Sequence, residues 1–233
     1  MHTDTEAAPA TGMALDRTAV AARLKTAGGR ALRFERCSFD HQDLGGLDLS
    51  GAAFAACSFE GTAFEKSALA RTTWTHCRAP FARFDMADLT EATFEGGDYN
   101  NASWSRARLS AAAFSETKLT GASFHQAQTL GLRFSAAILV SADLRGISFR
   151  KARLEGLNFA EADLGGCDFT QAVLVGGSLR DANLKGCTFR DADLSSTELG
   201  AVQVGDLTQH FRGCTLSTEQ AAAIVAALGI TVL

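Results

Sequence analysis

The stretch Glu161–Leu174, EADLGGCDFTQAVL, sets Leu164, Phe169 and Leu174 five residues apart, and puts Ala162, Cys167 and Ala172 each two residues earlier. Outward from it, the same frame runs from Leu32 to Asp206 as an unbroken series of five-residue repeats, without an insertion. With the large residue taken as position i, the centres are 14 Phe, 15 Leu, two Trp and one Tyr. The exceptions are Ala79, Thr129 and Val204. Position i−2 holds mostly small residues, 16 Ala and five Cys among them, and position i+2 carries 11 of the 22 Gly. The phases on either side of the centre are mostly polar or charged.

A helix buries residues with a period of 3.6 and a half-exposed strand with a period of two, so neither accounts for a period of five. One short extended side closed by a turn does. It turns i and i−2 inward together and gives Gly a corner that needs unusual backbone angles. Such repeats stack as a solenoid, each coil pairing with the next at about 4.8 Å. The chain is therefore expected to be all-β.

This pattern resembles the pentapeptide-repeat family, whose motif is A-(D/N)-L-x-x. The resemblance implies a right-handed quadrilateral β-helix with four repeats per coil. It sets Phe34, Phe54, Trp74, Phe94, Phe114 and Phe134 in one interior column. Phe149, Phe169 and Phe189 fall in another. The expected organisation is a disordered N-terminus at 1–14, a capping helix at 15–31, the β-helix at 32–206, and a C-terminal helix and short strand at 207–233. Asp16 is the expected N-cap of the first helix and Gly28 its C′ residue. Ser217 and Gln220 have capping-box spacing for the second. Ile224, Val225, Leu228 and Ile230 give the C-terminal segment an apolar stripe that caps the last coil, forms a dimer interface, or does both.

The tail EQAAAIVAALGITVL (219–233), HCRA (76–79) and KLTGASFHQAQTLGLRF (118–134) resemble the quinolone-resistance (Qnr) type within that family. The resemblance implies a homodimer joined through the C-terminus. It also implies an acidic surface that imitates duplex DNA, binds DNA gyrase or topoisomerase IV, and protects the enzyme from quinolones or albicidin. The uninterrupted frame leaves no room for the projecting loops of many Qnr proteins, so the loopless MfpA-like form is nearer. The alternative is a cytosolic scaffold or regulator that uses the same repeats to bind another protein.

Composition fits a binding protein better than an enzyme. The formal charge is −4, which offers no general basic footprint for direct nucleic-acid binding. On the four-repeat coil, the face centred on 39, 59 and 79 gathers Asp40, Glu60, Asp98, Glu161, Asp181 and Glu198 against Arg78, Lys118 and Arg180. A regular acidic face can stand in for phosphates before a basic groove, and it can equally be a solvated surface. Five of the six Cys lie at i−2, where they read as small buried residues of a reducing compartment. The five His have no ligand or triad spacing, no nucleotide or hydrolase motif occurs, and no metal or cofactor is expected. The N-terminus lacks the basic and apolar regions of a signal peptide, and no apolar run is long enough to span a membrane. A cytoplasmic protein is expected. In the segment around Ala79, Pro80 and Phe81, Phe81 either points outward or folds over the gap that Ala79 leaves.

Overall fold

A computed structural model describes residues 9–200, 210–227 and 229–232, with the chain divided into two compact units, Met1–Arg133 and Phe134–Leu233. Each unit winds as a four-sided β-helix.

In the first unit, β1 (Ala10–Thr11) is followed by α1 (Arg17–Ala27) and then by strands one coil apart. These are β2 (Arg33–Glu35), β3 (Ala53–Ala55), β4 (Thr73–Thr75), β5 (Thr93–Glu95) and β6 (Ala113–Ser115). They pair in parallel with Phe34, Phe54, Trp74, Phe94 and Phe114 in register. The other three sides of each coil pair through single residues, as in Ser38–Ser58–Arg78–Asp98–Lys118. From β2 onward each of these pairings advances by four repeats, which is one coil.

The corners explain the phase of the glycines. Every non-glycine residue with positive φ lies at i+2, His41, His76 and Phe81 among them, at φ 58°, 51° and 58°. The corner is closed by a turn bond from the following i+3 amide to the centre carbonyl, as Gln42 N donates to Phe39 O at 3.1 Å. Gly is favoured there because it has no Cβ to strain the left-handed conformation. Gly97 is different, since it stands at an i−2 position. A Cβ on it would lie 2.2 Å from the Cys77 carbonyl oxygen, so the close approach of two coils excludes any side chain.

The interior is aromatic on two sides. Phe34–Phe54, Phe54–Trp74, Trp74–Phe94 and Phe94–Phe114 have ring centroids 5.3, 4.3, 5.6 and 4.5 Å apart. A second column runs Phe64–Phe84–Trp104 at 4.9 and 4.1 Å. Each such side chain contributes about 1.5–3 kcal/mol by burial. On the side centred on Phe39, Phe39 stacks on Phe59 at 4.7 Å, and the next centre is Ala79. Trp74, the centre just before Ala79, is a larger ring and lies 4.9 Å from Phe59. It compensates the missing volume, and Ala79 is fully buried. Phe81 is 57% exposed and points outward rather than over that position.

Small i−2 residues serve as more than filler. Cys57 Sγ donates to Phe34 O at 3.4 Å, Cys77 Sγ to Phe54 O at 3.4 Å, and Thr62 Oγ1 to Phe39 O at 2.7 Å. Each bond runs back to a centre carbonyl of the preceding coil, so it ties one coil to the one before it.

The N-terminal end departs from expectation. Residues 1–8 lie outside the described part, but 10–14 are ordered rather than disordered. Ala10 pairs with Phe34 and Ala14 with Ser38, and Ala10 and Leu15 are buried. This segment starts a partial coil that α1 completes. Asp16 Oδ1 accepts Ala19 N at 2.8 Å, and Gly28 ends the helix at φ 58°. Arg17 Nη1 fastens the helix by donating to the carbonyls of Asp43 and Gly45, both at 2.9 Å.

In the second unit, β7 (Arg133–Ser135) spans the boundary, and β8 (Arg153–Glu155) pairs with β9 (Val173–Val175) in parallel. Phe149, Phe169, Phe189 and Phe211 stack at 4.9, 4.8 and 4.8 Å. The last step, from Phe189 to Phe211, is longer than the regular coil, because Phe189 N bonds His210 O and Asp193 pairs with Thr215. The coil therefore continues to Thr215, past the expected end at Asp206, with two extra residues between Gly200 and His210. Residues 201–209 lie outside the described part. α2 (Thr218–Ala227) follows, with a reciprocal cap: Gln220 N donates to Ser217 Oγ at 3.1 Å, and Ser217 N to Gln220 Oε1 at 2.7 Å. Residues 230–232 form no strand, contrary to expectation.

Candidate functional site

The acidic positions fall three to each unit and occupy three different places on the repeat. Asp40 and Glu60 follow their centres, Asp98 and Glu198 precede theirs, and Glu161 and Asp181 stand at corners, with φ 58° and 57°.

In the first unit, Asp40 is a brace as well as a charge. Its Oδ1 accepts Ser58 Oγ at 2.6 Å and Glu60 N at 2.8 Å, and its Oδ2 accepts Ser38 Oγ at 3.0 Å. Burial raises its pKa, but the bonds from Ser58, Glu60 and Ser38 outweigh burial and hold the carboxyl below its ordinary value. Asp98 Oδ1 accepts Asn100 N at 3.0 Å. The Glu60 side chain is exposed. None of Asp40, Glu60 and Asp98 is in an ion pair among the described residues. Arg78 stands between Ser58 and Asp98 in the bridge register, and Lys118 follows Asp98. The acidic surface is thus interrupted by cations.

The neighbouring sides are more nearly neutralised. Glu65 pairs with Arg83 at 2.6 Å, Asp88 with Arg108 at 2.7 Å, and Asp43 with Arg17 at 3.7 Å. Asp40, Glu60 and Asp98 thus keep their charge without an ion pair, and Arg78 and Lys118 on the same side offset part of it. Pro80 on this side removes no bond of the backbone ladder. The corresponding amides of Glu60 and Asn100 bond to carboxylates rather than to the ladder, and the Pro80 carbonyl still accepts Gly61 N at 2.9 Å.

In the second unit, Glu161 Oε2 accepts Ser141 Oγ at 3.0 Å, and Asp181 lies 3.7 Å from Arg180 Nε. Glu198 is exposed and pairs by backbone with Ser178.

A wider role for the carboxylates has a sequence signal that composition hides. Asp43, Asp48, Asp88, Asp163, Asp168 and Asp193 each accept the amide two residues on, at 2.8–3.1 Å. Aspartate before a centre, with Gly, Ser or Thr after it, is the pattern of an Asx turn. Much of the acidic character therefore shapes the sides of the coil.

The C-terminal segment leaves apolar surface uncovered. No residue of α2 is buried; Ile224 and Val225 are half-buried, and Ile230 is 54% exposed. Leu228 lies outside the described residues. Gln220 Nε2 ties the helix to the last coil, donating to Leu194 O and Thr197 O at 2.8 and 2.6 Å.

The cysteines behave as interior residues. Cys37, Cys57, Cys77, Cys167 and Cys187 are buried free thiols, and burial pushes Cys167 to about 12 and Cys187 to about 11. Among the described residues, no cluster of His, Cys, Asp and Glu could hold a metal ion. No described helix is long and apolar enough to cross a membrane.

Comparison with known proteins agrees with this architecture. A model described as pentapeptide repeat region matches residues 47–124, and one described as pentapeptide repeats matches 131–166 and 162–200. A comparison with curated protein sequences finds no match. Among solved structures, a trypsin-treated variant of QnrB1, a plasmid-mediated fluoroquinolone resistance protein, is 21% identical, with TM-score 0.66 over 98% of this chain and 99% of that one. Full-length QnrB1 is 20% identical, with TM-score 0.55 over 95% and 97%. At this identity the likeness establishes a shared fold. The chain belongs to the pentapeptide-repeat family, whose β-helix it forms.

Proposed function

We propose that the protein binds a bacterial type II topoisomerase, DNA gyrase or topoisomerase IV, by imitating DNA, and protects it from poisons such as quinolones or albicidin. The observation that carries this reading is the side of the first unit where Asp40, Glu60 and Asp98 have no ion pair among the described residues, while Asp43, Glu65 and Asp88 on neighbouring sides do. Unpaired carboxylates on a rigid, regularly stepped backbone offer fixed negative charge to a cationic DNA groove. The QnrB1 fold and the Qnr-like tail direct the choice of partner. Function on this reading is binding rather than catalysis, in the cytoplasm where the enzyme acts. The incompletely covered Ile224 and Val225 of α2 and the exposed Ile230 support a homodimer through the C-terminal segment, Leu228 included in the proposed interface, with the acidic surface repeated in each copy. Supercoiling assays with and without a quinolone or albicidin test the proposal. Protection, or inhibition at high protein concentration, is the expected result, and no effect on either enzyme rejects it.

A further inference from the structure

The Phe81 amide pairs with the Asn100 carbonyl of the next coil at 3.0 Å, but the Phe81 ring lies outside the interior. The residue occupies a corner at φ 58°, a conformation uncommon for a bulky residue. The other non-glycine corners of the described chain carry polar, charged or alanine side chains, except for Met86 at the next corner. Phe81 is 57% exposed, and Ala79 beside it is already fully buried. Nothing in the interior calls for an aromatic ring at this position.

Its location is informative. Phe81 ends the side that runs through Arg78, Ala79 and Pro80, which is the side of Glu60 and Asp98 in the adjoining coils and of Asp40 one coil further on. Below it in the corner column stands Gly61, over which the His41 ring lies, since a Cβ on Gly61 would meet His41 Nδ1 at 2.8 Å. On the side beyond the corner, two charges are already engaged. Arg83 is paired with Glu65, and Asp85 accepts Ser105 N and the Ser103 hydroxyl. A partner that covers Phe81 from that side meets Arg83 and Asp85 already engaged, while Glu60 and Asp98 stay free to meet a cation. An exposed ring beside unpaired carboxylates combines an apolar anchor with a polar surround, the arrangement of a protein-binding hot spot.

We propose that Phe81 is the apolar anchor of the partner interface, inserting into a hydrophobic pocket at the edge of the partner's cationic groove. This rests on the topoisomerase reading above and deepens it. The carboxylates supply attraction that any polycation would feel, and Phe81 supplies recognition of one protein surface. The partner is a protein with a basic wall and an apolar recess, since a purely electrostatic contact has no use for the ring.

The test measures equilibrium binding of the full chain to purified gyrase and topoisomerase IV across salt concentrations, using wild type, Phe81→Ala, Phe81→Asn and Glu60→Lys. Thermal melts of each establish that the fold is kept, and Phe81→Asn is the variant best suited to the left-handed corner. The expected result is a loss of about thirtyfold in affinity for both Phe81 variants, by a factor that hardly changes with salt. Glu60→Lys instead reduces the salt dependence. Wild-type binding that Phe81→Ala and Phe81→Asn leave unchanged overturns the anchor and spares the topoisomerase reading. Absence of wild-type binding to either enzyme overturns both.

Discussion

The Asp40 carboxylate accepts the Glu60 backbone amide at 2.8 Å, so one charge of the acidic surface also holds two coils together. Asp40 and Glu60 are therefore not equivalent targets. Asp40→Ala removes acceptors for Ser38, Ser58 and Glu60 and should cost about 1.5–3 kcal/mol. Glu60→Lys removes no such bond and should stay within about 0.5 kcal/mol of wild type. Denaturant melts of the two variants check this, and equal destabilisation would contradict the brace.

The same carboxylates set the acid limit of the fold. Against the opposing effect of burial, hydrogen bonds hold Asp40, Asp48, Asp88, Asp168 and Asp193 below their ordinary values. For groups depressed in the folded state, the stabilisation is complete above the unfolded value of about 3.9 and is lost as pH falls through the folded values. Tm should be flat from pH 7 to about 5 and fall steeply below about 4. A Tm that holds steady down to about pH 2 would rule out this contribution.

Packing predictions separate size from polarity. Phe114 is buried, 4.5 Å from Phe94 and 5.2 Å from Trp104, and Phe114→Ala should cost about 3–5 kcal/mol. Tyr99 is fully buried, and its hydroxyl has no hydrogen-bond partner among the described residues. Tyr99→Phe should therefore be neutral or stabilising. Chemical denaturation of both variants measures the contrast; a Tyr99→Phe as damaging as Phe114→Ala would show that the hydroxyl is in use.

Association is expected through α2. Ile224→Glu should shift sedimentation from dimer to monomer while leaving the β-helix spectrum intact. A wild-type protein that sediments as a monomer at micromolar concentration would remove the dimer from the account.

The β-helix was legible in the sequence because its unit is local. Five residues decide what faces inward, so Phe54, Trp74 and Phe94 could be aligned by counting alone. The caps at Asp16, Ser217 and Gln220 were legible for the same reason. Features that depend on distant partners were not. Residues 10–14 lie before the five-residue frame begins, and only pairing with Phe34 and Ser38 makes them a coil. The longer step from Phe189 to Phe211 breaks the count without any change in residue type. On the acidic side, sorting by coil found Asp40, Glu60 and Asp98 but could not see that Asp40 is tied to the next coil, or that Asp181 faces Arg180. The direction of Phe81 was undecidable from sequence, because it turns on whether Trp74 fills the space beside Ala79.

The most direct test of the central claim is competition between this protein and duplex DNA for gyrase or topoisomerase IV, followed by equilibrium binding at rising salt. The account predicts that the protein binds one of these enzymes, is displaced by DNA, and weakens as salt screens the acidic surface. Failure to bind either enzyme at low salt, or binding that DNA does not displace, would contradict it.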